Sequence, residues 1–262
     1  MHERHTHREK YFEEQVYTTS KYVIPFLEQV MPVDAGLKVL EIGCGEGGNM
    51  KPFLDLGCDV TGIDLEENKI EKAGKFFADH PNRAKLRLIC RDIYELDEPG
   101  LKFDLIILRD VIEHIHNQER FMNYVRKFLL PGGRIFFGFP PWQNPFGGHQ
   151  QMATNKFLAV APFIHLLPTF MYKGILKAGG ESDSKIEGLL EIKDTRLTIE
   201  RFNRILKKEN FRVEKVIYYF INPNYEIKFK LKPRMVFRPI TAVPVLRNFF
   251  ITTCYYIVSQ NS

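Results

Sequence analysis

Four glycines follow an apolar run in the segment VLEIGCGEGG. Gly43, Gly45 and Gly48 fit the G-x-G-x-x-G spacing that cradles a dinucleotide pyrophosphate. A second pattern, acid-x-G-x-G-x-G, is matched by Glu41, Gly43, Gly45 and Gly47. Both patterns use glycine because a residue without a Cβ can adopt the positive φ of the turn and lets the backbone approach a ligand closely. The segment therefore predicts an adenosine-containing cofactor.

Carboxylates at the ends of later strands distinguish the two patterns. Asp64 ends the second predicted strand, where an acid accepts hydrogen bonds from a ribose diol in either cofactor. Asp92 follows the third strand, where it can accept from an adenine amino group while the Ile93 N–H donates to a ring nitrogen. Glu41 places negative charge near the ligand, which suits the amino group of S-adenosylmethionine and not a pyrophosphate. The set favours S-adenosylmethionine.

Strands and helices alternate around these residues. The predicted strands are residues 37–42, 59–64, 86–90, 103–109, 134–139, 212–221 and 250–260. The predicted helices are residues 21–31, 48–57, 67–80, 117–130 and 198–211. Continuous apolar strands between amphipathic helices indicate a parallel sheet covered on both faces. The last two strands have no helical crossover between them, which predicts an antiparallel pair at the sheet edge.

In order and spacing, these motifs resemble those of class I S-adenosylmethionine-dependent methyltransferases, and within the class the ubiquinone-biosynthesis O-methyltransferase-like branch. The resemblance covers about residues 35–139 and 198–260, including an EH dipeptide after the fourth strand and a Leu-Pro-Gly-Gly turn. It implies a Rossmann-like α/β fold with a seven-stranded, mostly parallel sheet whose last strand is antiparallel. It also implies S-adenosylmethionine as cofactor. The residues expected to bind it are Glu41, Gly43, Cys44, Gly45, Gly47, Asp64, Leu65, Asp92, Ile93 and Arg109.

Composition is compatible with one α/β domain that carries an insertion. The chain has 262 residues, of which 44% are hydrophobic, and a formal net charge of +5. We expect an N-terminal helical extension over 1–35 and a methyltransferase domain over 36–262. Within that domain we expect a lid or acceptor insertion at 140–195, after the fifth strand, and a basic connector at 222–247. Four dispersed cysteines argue against a disulfide framework and suit a reducing cytoplasm.

The N-terminal stretch MHERHTHREKYFEEQ is polar and lacks the apolar core of a signal peptide. His2, His5 and His7 leave a metal site and a solvated terminus as alternatives, and the solvated terminus is favoured.

Two histidines are candidates for catalysis. A methyl group on a sulfonium is already activated, so the protein needs a base only where the acceptor must lose a proton. His149 ends the loop FPPWQNPFGGH after the fifth strand, where Trp142 and Phe146 are expected to line an aromatic acceptor pocket. His114, in RDVIEHIH, is the second candidate. The alternative for His149 is a histidine satisfied within its own loop.

The segment RDVIEHIH also suggests a metal site. If residues 110–114 form a helical turn, Asp110, Glu113 and His114 share one face at i, i+3 and i+4. Two carboxylates and an imidazole can hold Mg²⁺ or Mn²⁺. The resemblance implies the same, because some relatives, including terminal 2′-O-methyltransferases of small RNAs, bind a metal through a similar acid-x-x-Glu-His group, usually beginning with Glu. The alternative is that Glu113 and His114 support the cofactor loop.

Two further segments bear on the acceptor and on partners. Residues 157–172 are apolar but too short and too broken by prolines to span a bilayer. A buried lid, a dimer surface and an interfacial membrane segment stay open for them, and the oligomeric state is not predicted. The basic connector, rich in Lys, Arg and aromatics, can meet anionic lipid or phosphate, or be a solvated link. We expect 140–177 to form a mobile cover over the acceptor, with His149 facing the transferred methyl.

The sequence thus predicts methyl transfer to a small-molecule or lipid-like acceptor, at a hydroxyl oxygen, in the cytoplasm and with peripheral membrane contact as an option. Nucleic acid is disfavoured because no dominant basic face is visible and the position after the fourth strand reads LRDV, without the Asn/Asp-Pro-Pro-aromatic motif of base-amine methylases. The alternatives are a 2′-O-methyltransferase of RNA, a NAD-binding oxidoreductase and a non-catalytic cofactor-binding protein.

Overall fold

The computed structural model describes residues 8–98 and 100–261. Its strands are β1 (Lys38–Ile42), β2 (Asp59–Asp64), β3 (Leu86–Cys90), β4 (Phe103–Arg109), β5 (Leu129–Phe139), β6 (Phe211–Ile221), β7 (Arg234–Met235) and β8 (Thr253–Gln260). Its α-helices are α1 (Arg8–Thr18), α2 (Ile24–Leu27), α3 (Lys51–Asp55), α4 (Glu67–Phe76), α5 (Gln118–Val125), α6 (Lys156–Val160), α7 (Thr169–Ala178), α8 (Asp183–Thr195), α9 (Ile199–Lys208), α10 (Asn224–Phe229) and α11 (Arg238–Thr241). All strands join one sheet in the order β3-β2-β1-β4-β5-β8-β6-β7.

The first five strands form the parallel part of the sheet. The apolar runs of β1, β2, β4 and β5 are buried on both faces, because one large hydrophobic cluster packs on each side, whereas β3 at the sheet edge is only partly buried. The carboxyl ends of these strands therefore meet at one edge. The register pairs Arg109 with Gly138, so the loop after β4 and the loop after β5 leave the sheet side by side.

The remaining strands close the sheet on the β5 side. β8 runs antiparallel to both β5 and β6, which confirms the predicted antiparallel pair. The sheet has eight strands and not the predicted seven, because Arg234 and Met235 add a short antiparallel strand to the edge of β6. Two residues are too few to show an alternating pattern, so no local pattern predicts this strand.

The N-terminal segment is helical from Arg8 onward. α1 continues through a π-helical turn (Thr19–Val23) into α2. Phe12, Val23 and Leu27 are buried in the cluster on one face of the sheet. Arg8–Thr18 form a helix whose apolar side packs on the domain through Phe12. His2, His5 and His7 lie outside the described residues.

The insertion (residues 140–195) forms a small helical layer with its own core. α7 and α8 pack together through Tyr172, Leu176, Ile186 and Leu189, a cluster separate from the two beside the sheet. The α6 N-terminus is capped by Asn155, whose side chain accepts from the Phe157 N–H at 2.9 Å. A search of the described helices finds none with the length and apolar character that crossing a membrane would require.

Candidate functional site

The glycine loop between β1 and α3 has the backbone that its sequence predicts. Gly43 and Gly45 have φ of 72° and 55°, in the left-handed region that favours glycine. A Cβ on Gly43 would lie 2.6 Å from Val111 Cγ2, so the loop after β4 leaves no room there. A Cβ on Gly45 would meet nothing within 4 Å, so this backbone faces open space where a ligand can approach.

Asp64 fixes this loop from the end of β2. Its Oδ2 accepts from the Gly45 N–H at 2.8 Å, and its Oδ1 accepts from the Glu66 N–H at 2.9 Å. Each carboxylate oxygen can accept a second hydrogen bond. The side chain is therefore held in place by the backbone while it keeps acceptor capacity for a diol.

The ends of β2 and β3 lie side by side next to the loop. Asp64 pairs with Cys90 in the register, and Leu65 beyond it is 70% exposed. Asp92 accepts the Tyr94 N–H on Oδ1 at 2.9 Å and so also caps the turn that follows it, while Ile93 is buried. Asp64 and Asp92 can each accept further hydrogen bonds, and Leu65 offers an exposed apolar surface. This combination suits the ribose and base of an adenosine.

Glu41 is a buried carboxyl with one unsatisfied oxygen. Its Oε1 accepts from Asn49 Nδ2 at 2.8 Å, and its Oε2 has no hydrogen-bond partner among the described residues. Burial raises the pKa of Glu41 to about 8, against the opposing effects of Asn49 and Arg109. An acceptor left without a donor in the interior is costly, and a positively charged amino group would satisfy it. Glu41 therefore fits the cationic methionine part of S-adenosylmethionine.

Arg109, the last residue of β4, joins three elements to this network. Its Nη1 donates to Asn49 Oδ1 at 2.7 Å and to Thr19 Oγ1 at 3.1 Å, and its Nη2 donates to Asn224 Oδ1. The guanidinium is buried and engaged within the chain, so it orients Asn49, which in turn holds Glu41. The contact of Arg109 with a cofactor stays a prediction.

A cavity of about 490 Å³ opens at the same edge of the sheet. Of the predicted site residues, Asp110, Phe146 and His149 line it. Residues that the sequence did not single out complete the wall, among them Tyr11, Asn144, Asn222 and Tyr225. The segment INPNY at the end of β6 carried a signal for two of them, since polar residues there follow a strand as Asp64 and Asp92 do. The α1 sequence carried no such signal for Tyr11.

Trp142 does not line this cavity. Its side chain is buried, and its ring packs edge-on against His165 with centroids 4.6 Å apart. The Trp142 carbonyl also lies 2.8 Å from His165 Nε2. Of the two predicted aromatic residues, only Phe146 therefore lines the cavity, together with Tyr11 and Tyr225, while Trp142 packs inside the insertion.

Three candidate residues converge beside the cavity. Glu113, His114 and His149 each offer one ligand atom, and these atoms lie within 4.8 Å of one another. His149 Nε2 is 3.8 Å from Glu113 Oε1. The helical turn covers only Ile112–His114, and Asp110 has φ of 56°, so the expected turn over 110–114 is wrong. Asp110 has a left-handed backbone and lies outside the helical turn. The group of three potential ligands therefore contains His149 and not Asp110.

Burial sets the charge of this cluster. Neither carboxylate oxygen of Glu113 has a hydrogen-bond partner among the described residues, and burial, followed by the charge of Asp110, raises the pKa of Glu113 well above its ordinary value. Burial and the imidazoles of His114 and His165 lower the pKa of His149 to about 3. His149 is therefore neutral near pH 7 and can ligate a metal through a free nitrogen lone pair, whereas the low pKa makes it a weak proton acceptor.

The fold and this site define a class of α/β proteins that bind an adenosine-containing cofactor at the carboxyl edge of a parallel sheet. The family model of a methyltransferase domain matches residues 12–180, so the chain belongs to the methyltransferase domain family. The ubiquinone biosynthesis O-methyltransferase of Bartonella bacilliformis is 36% identical over 104 residues, 39% of this chain and 40% of that protein. The mitochondrial protein of the same name from Arabidopsis thaliana is 32% identical over 99 residues, 37% of this chain and 30% of that protein.

Solved structures share the fold over nearly the whole chain. The plantazolicin methyltransferase BpumL, in complex with a triazolic analog and SAH, matches with a TM-score of 0.56, at 15% identity, over 97% of this chain and 87% of that one. The glycopeptide N-methyltransferase MtfA matches with a TM-score of 0.55, at 14% identity, over 93% of this chain and 90% of that one. The class of fold predicted from the sequence is confirmed.

Proposed function

We propose that this chain transfers the methyl group of S-adenosylmethionine to a hydroxyl oxygen of a small or lipid-like acceptor. The observation that carries the proposal is the unpartnered, buried oxygen of Glu41 beside the glycine loop, at the sheet edge where a cavity presents a neutral His149. A dinucleotide would bring a pyrophosphate to this loop, where ionisation of Glu41 would place like charges together, whereas the amino group of S-adenosylmethionine stabilises the ionised carboxylate.

The chain's own residues divide the binding work. S-adenosylmethionine supplies, when bound, a methyl group on a positively charged sulfur that is already activated for transfer. Glu41 would accept from its amino group, while Asp64 and Asp92 would accept from the ribose and the base. Gly43 and Gly45 keep the backbone close to the ligand. Asn49 and Arg109 hold the Glu41 carboxyl in place.

The acceptor side rests on the cavity and on the insertion. His149 and Phe146 line the cavity, so an acceptor hydroxyl there would lie within reach of a neutral imidazole. A base of this kind accelerates transfer when the hydroxyl must lose its proton. The related proteins that bear the name O-methyltransferase support oxygen as the accepting atom. Residues 140–177 would cover the acceptor as a mobile segment and set its identity.

We propose a divalent cation as a second role for the cluster beside the cavity. Glu113, His114 and His149 offer a carboxylate and two imidazoles within 4.8 Å, and a cation would satisfy the unpartnered Glu113 oxygens. Mg²⁺ or Mn²⁺ would be the occupant, with Asp110 on the cavity wall nearby. In that case, the cation would lower the pKa of an acceptor hydroxyl, and His149 would serve as a ligand and not as a base.

Calorimetry tests the cofactor proposal before any acceptor is known. The folded chain is titrated with S-adenosylmethionine and, separately, with NADH. Binding of the first and not of the second supports the proposal. Binding of NADH alone would reverse it in favour of an oxidoreductase. A screen of catechols, phenols and prenylated phenols, with short RNA as the competing acceptor class, then reads out methylation by product mass.

A further inference from the structure

The positive charge of this chain is concentrated in two segments. Residues 156–180 and 227–252 contain nine Lys and Arg and no Asp or Glu. The whole chain has 37 basic and 32 acidic residues, so everything outside the two segments is net negative. We name the surface that these two segments form the basic face.

The two segments meet in the folded chain. The rings of Phe163 and Phe249, one from each segment, lie with centroids 6.1 Å apart. The neighbouring residues Met152 and Phe146 line the cavity from the insertion side, and Tyr225 and Lys228 line it from the connector side. Lys228 and Thr252 are the cavity-lining residues that belong to the basic face, so this face borders the proposed acceptor site on the connector side.

Large apolar side chains stand out from the same face. Phe157, Phe170 and Phe237 are 85%, 76% and 72% exposed, and Met235 is 68% exposed. Aromatic rings this exposed are unfavourable in water, and several of them on two segments that contact each other indicate an interaction surface. Each lies within three residues of a Lys or Arg in the sequence.

Helix α7 shows how the two kinds of side chain are combined. Tyr172 and Leu176 are fully buried against α8, so this side of the helix is committed to the insertion core. Phe170, Lys173 and Lys177 are exposed at i, i+3 and i+7, which places an aromatic ring and two ammonium groups on the opposite face. An apolar ring flanked by lysines is typical of helices that lie in a membrane interface.

Most cations of the face are available to an external partner. Among residues 8–98 and 100–261, no carboxylate forms an ion pair with Lys230, Lys232, Arg234 or Arg238. We propose that the basic face docks on a membrane surface that contains anionic lipid, with the exposed Phe and Met side chains inserted between headgroups. A second copy of the chain is a poor occupant, because two acid-free cationic faces would repel each other. The docking does not depend on methyl transfer.

Vesicle sedimentation with the full chain tests the proposal. The chain should bind vesicles of phosphatidylcholine mixed with phosphatidylglycerol at least about tenfold more tightly than vesicles of phosphatidylcholine alone, and salt should weaken the binding. Lys230→Glu combined with Lys232→Glu should abolish the difference. The matched control is Lys207→Glu with Lys208→Glu, an equal charge change on exposed residues at the end of α9, which should leave binding unchanged. Phe157→Ser with Phe170→Ser should weaken binding that remains in high salt.

Three outcomes would overturn the proposal. The first is equal binding to both kinds of vesicle. The second is an equal loss of vesicle binding in the control variant Lys207→Glu with Lys208→Glu. The third is a loss of binding to short RNA in the variants of the basic face, with no change in their binding to vesicles. Light scattering that shows a dimer disrupted by Phe170→Ser would assign the face to a second copy. Thermal unfolding of each variant confirms that it folds. Cofactor titration is independent of vesicle binding, so failure of the proposed function would be seen separately.

Discussion

Asn49 donates its side-chain amide to Glu41 Oε1 over 2.8 Å and leaves Oε2 of the same buried carboxyl without a partner among the described residues. This relationship joins the cofactor loop to the rest of the fold, because Asn49 itself accepts from Arg109 at 2.7 Å. The carboxyl is thus oriented and still unsatisfied. A group in this state is prepared for a cationic ligand.

The first prediction concerns the proton on Glu41. With its pKa raised to about 8, Glu41 is mostly protonated at pH 7, and a bound amino group favours its ionised form. Binding of S-adenosylmethionine should therefore release most of a proton. Calorimetry at pH 7 in two buffers of different ionisation enthalpy measures this release. Glu41→Gln should bind more weakly and release none, and equal enthalpies for the wild type in both buffers would contradict the assignment.

The same carboxyl should affect stability without ligand. Its pKa in the fold is raised from 4.5 to about 8, so between these values the unfolded chain is ionised there and the folded chain is not. The free energy of unfolding should therefore fall as pH rises through this window, by at most about 1.4 kcal/mol per pH unit from this group. Urea unfolding at several pH values should show that Glu41→Gln gains stability relative to the wild type as pH rises. A constant difference would show that Glu41 is ionised in the fold.

The second prediction concerns Asp64. Asp64→Ala removes two hydrogen bonds that hold Gly45 and Glu66, together with the acceptor for the ribose. Binding of S-adenosylmethionine should weaken by about 1.5–3 kcal/mol, as for hydrogen bonds to a charged group. The control is Asp59→Ala, at the exposed start of the same strand, which should bind normally. Unchanged affinity of Asp64→Ala would place the ribose elsewhere.

Four of the five parallel strands were predictable to within one residue, whereas β5 begins at Leu129 and not at the predicted residue 134, because the Leu-Pro-Gly-Gly stretch that predicted a turn joins the strand. β2, β3 and β4 have the predicted bounds, because each is a run rich in branched and apolar residues bounded by turn residues. β2 and β4 are buried on both faces, and β3, at the sheet edge, is buried only in part. The carboxyl ends of β1, β2 and β3 place Glu41, Asp64 and Asp92 at one edge of the sheet. Local pattern was sufficient for these residues since each lies directly at a strand end.

Residues that depend on distant contacts were not predictable in the same way. α1 is polar, and its contacts are with residues that are distant in sequence. The Glu226 carboxylate, for example, accepts a hydrogen bond from Tyr17 Oη at 3.0 Å, although the two residues are 209 positions apart. Glu113 and His149 were each singled out, but nothing local showed that they lie 3.8 Å apart. Their proximity comes from the pairing of β4 with β5, which is a property of the sheet.

The third prediction tests the cation. If Glu113, His114 and His149 hold a metal, exhaustive chelation should abolish methyl transfer, and Mg²⁺ or Mn²⁺ should restore it. Mn²⁺ binding, followed by electron paramagnetic resonance, provides a readout that needs no acceptor. Glu113→Gln should no longer bind Mn²⁺ in this experiment, whereas His116→Ala, at an exposed histidine, should bind it as the wild type does. Full activity after chelation, with no bound Mn²⁺, would return Glu113 and His114 to a supporting role beside the cofactor loop.

The fourth prediction concerns His149, and its outcome depends on the third. Without a metal, His149 is the expected base because it lines the cavity, and the burial that lowers its pKa to about 3 makes it a weak base that suits an acidic acceptor hydroxyl. His149→Ala should then reduce turnover about 10²–10⁴-fold while the affinity for S-adenosylmethionine stays nearly constant. His116→Ala serves again as the control. With a metal, His149→Ala should also abolish Mn²⁺ binding. The electron paramagnetic resonance spectrum of Mn²⁺ therefore distinguishes a metal ligand from a base. Unchanged turnover would exclude both roles. The acceptor must then be acidic enough to lose its proton unaided, or the base must be sought at His114, whose ring lies 5.0 Å from that of His149.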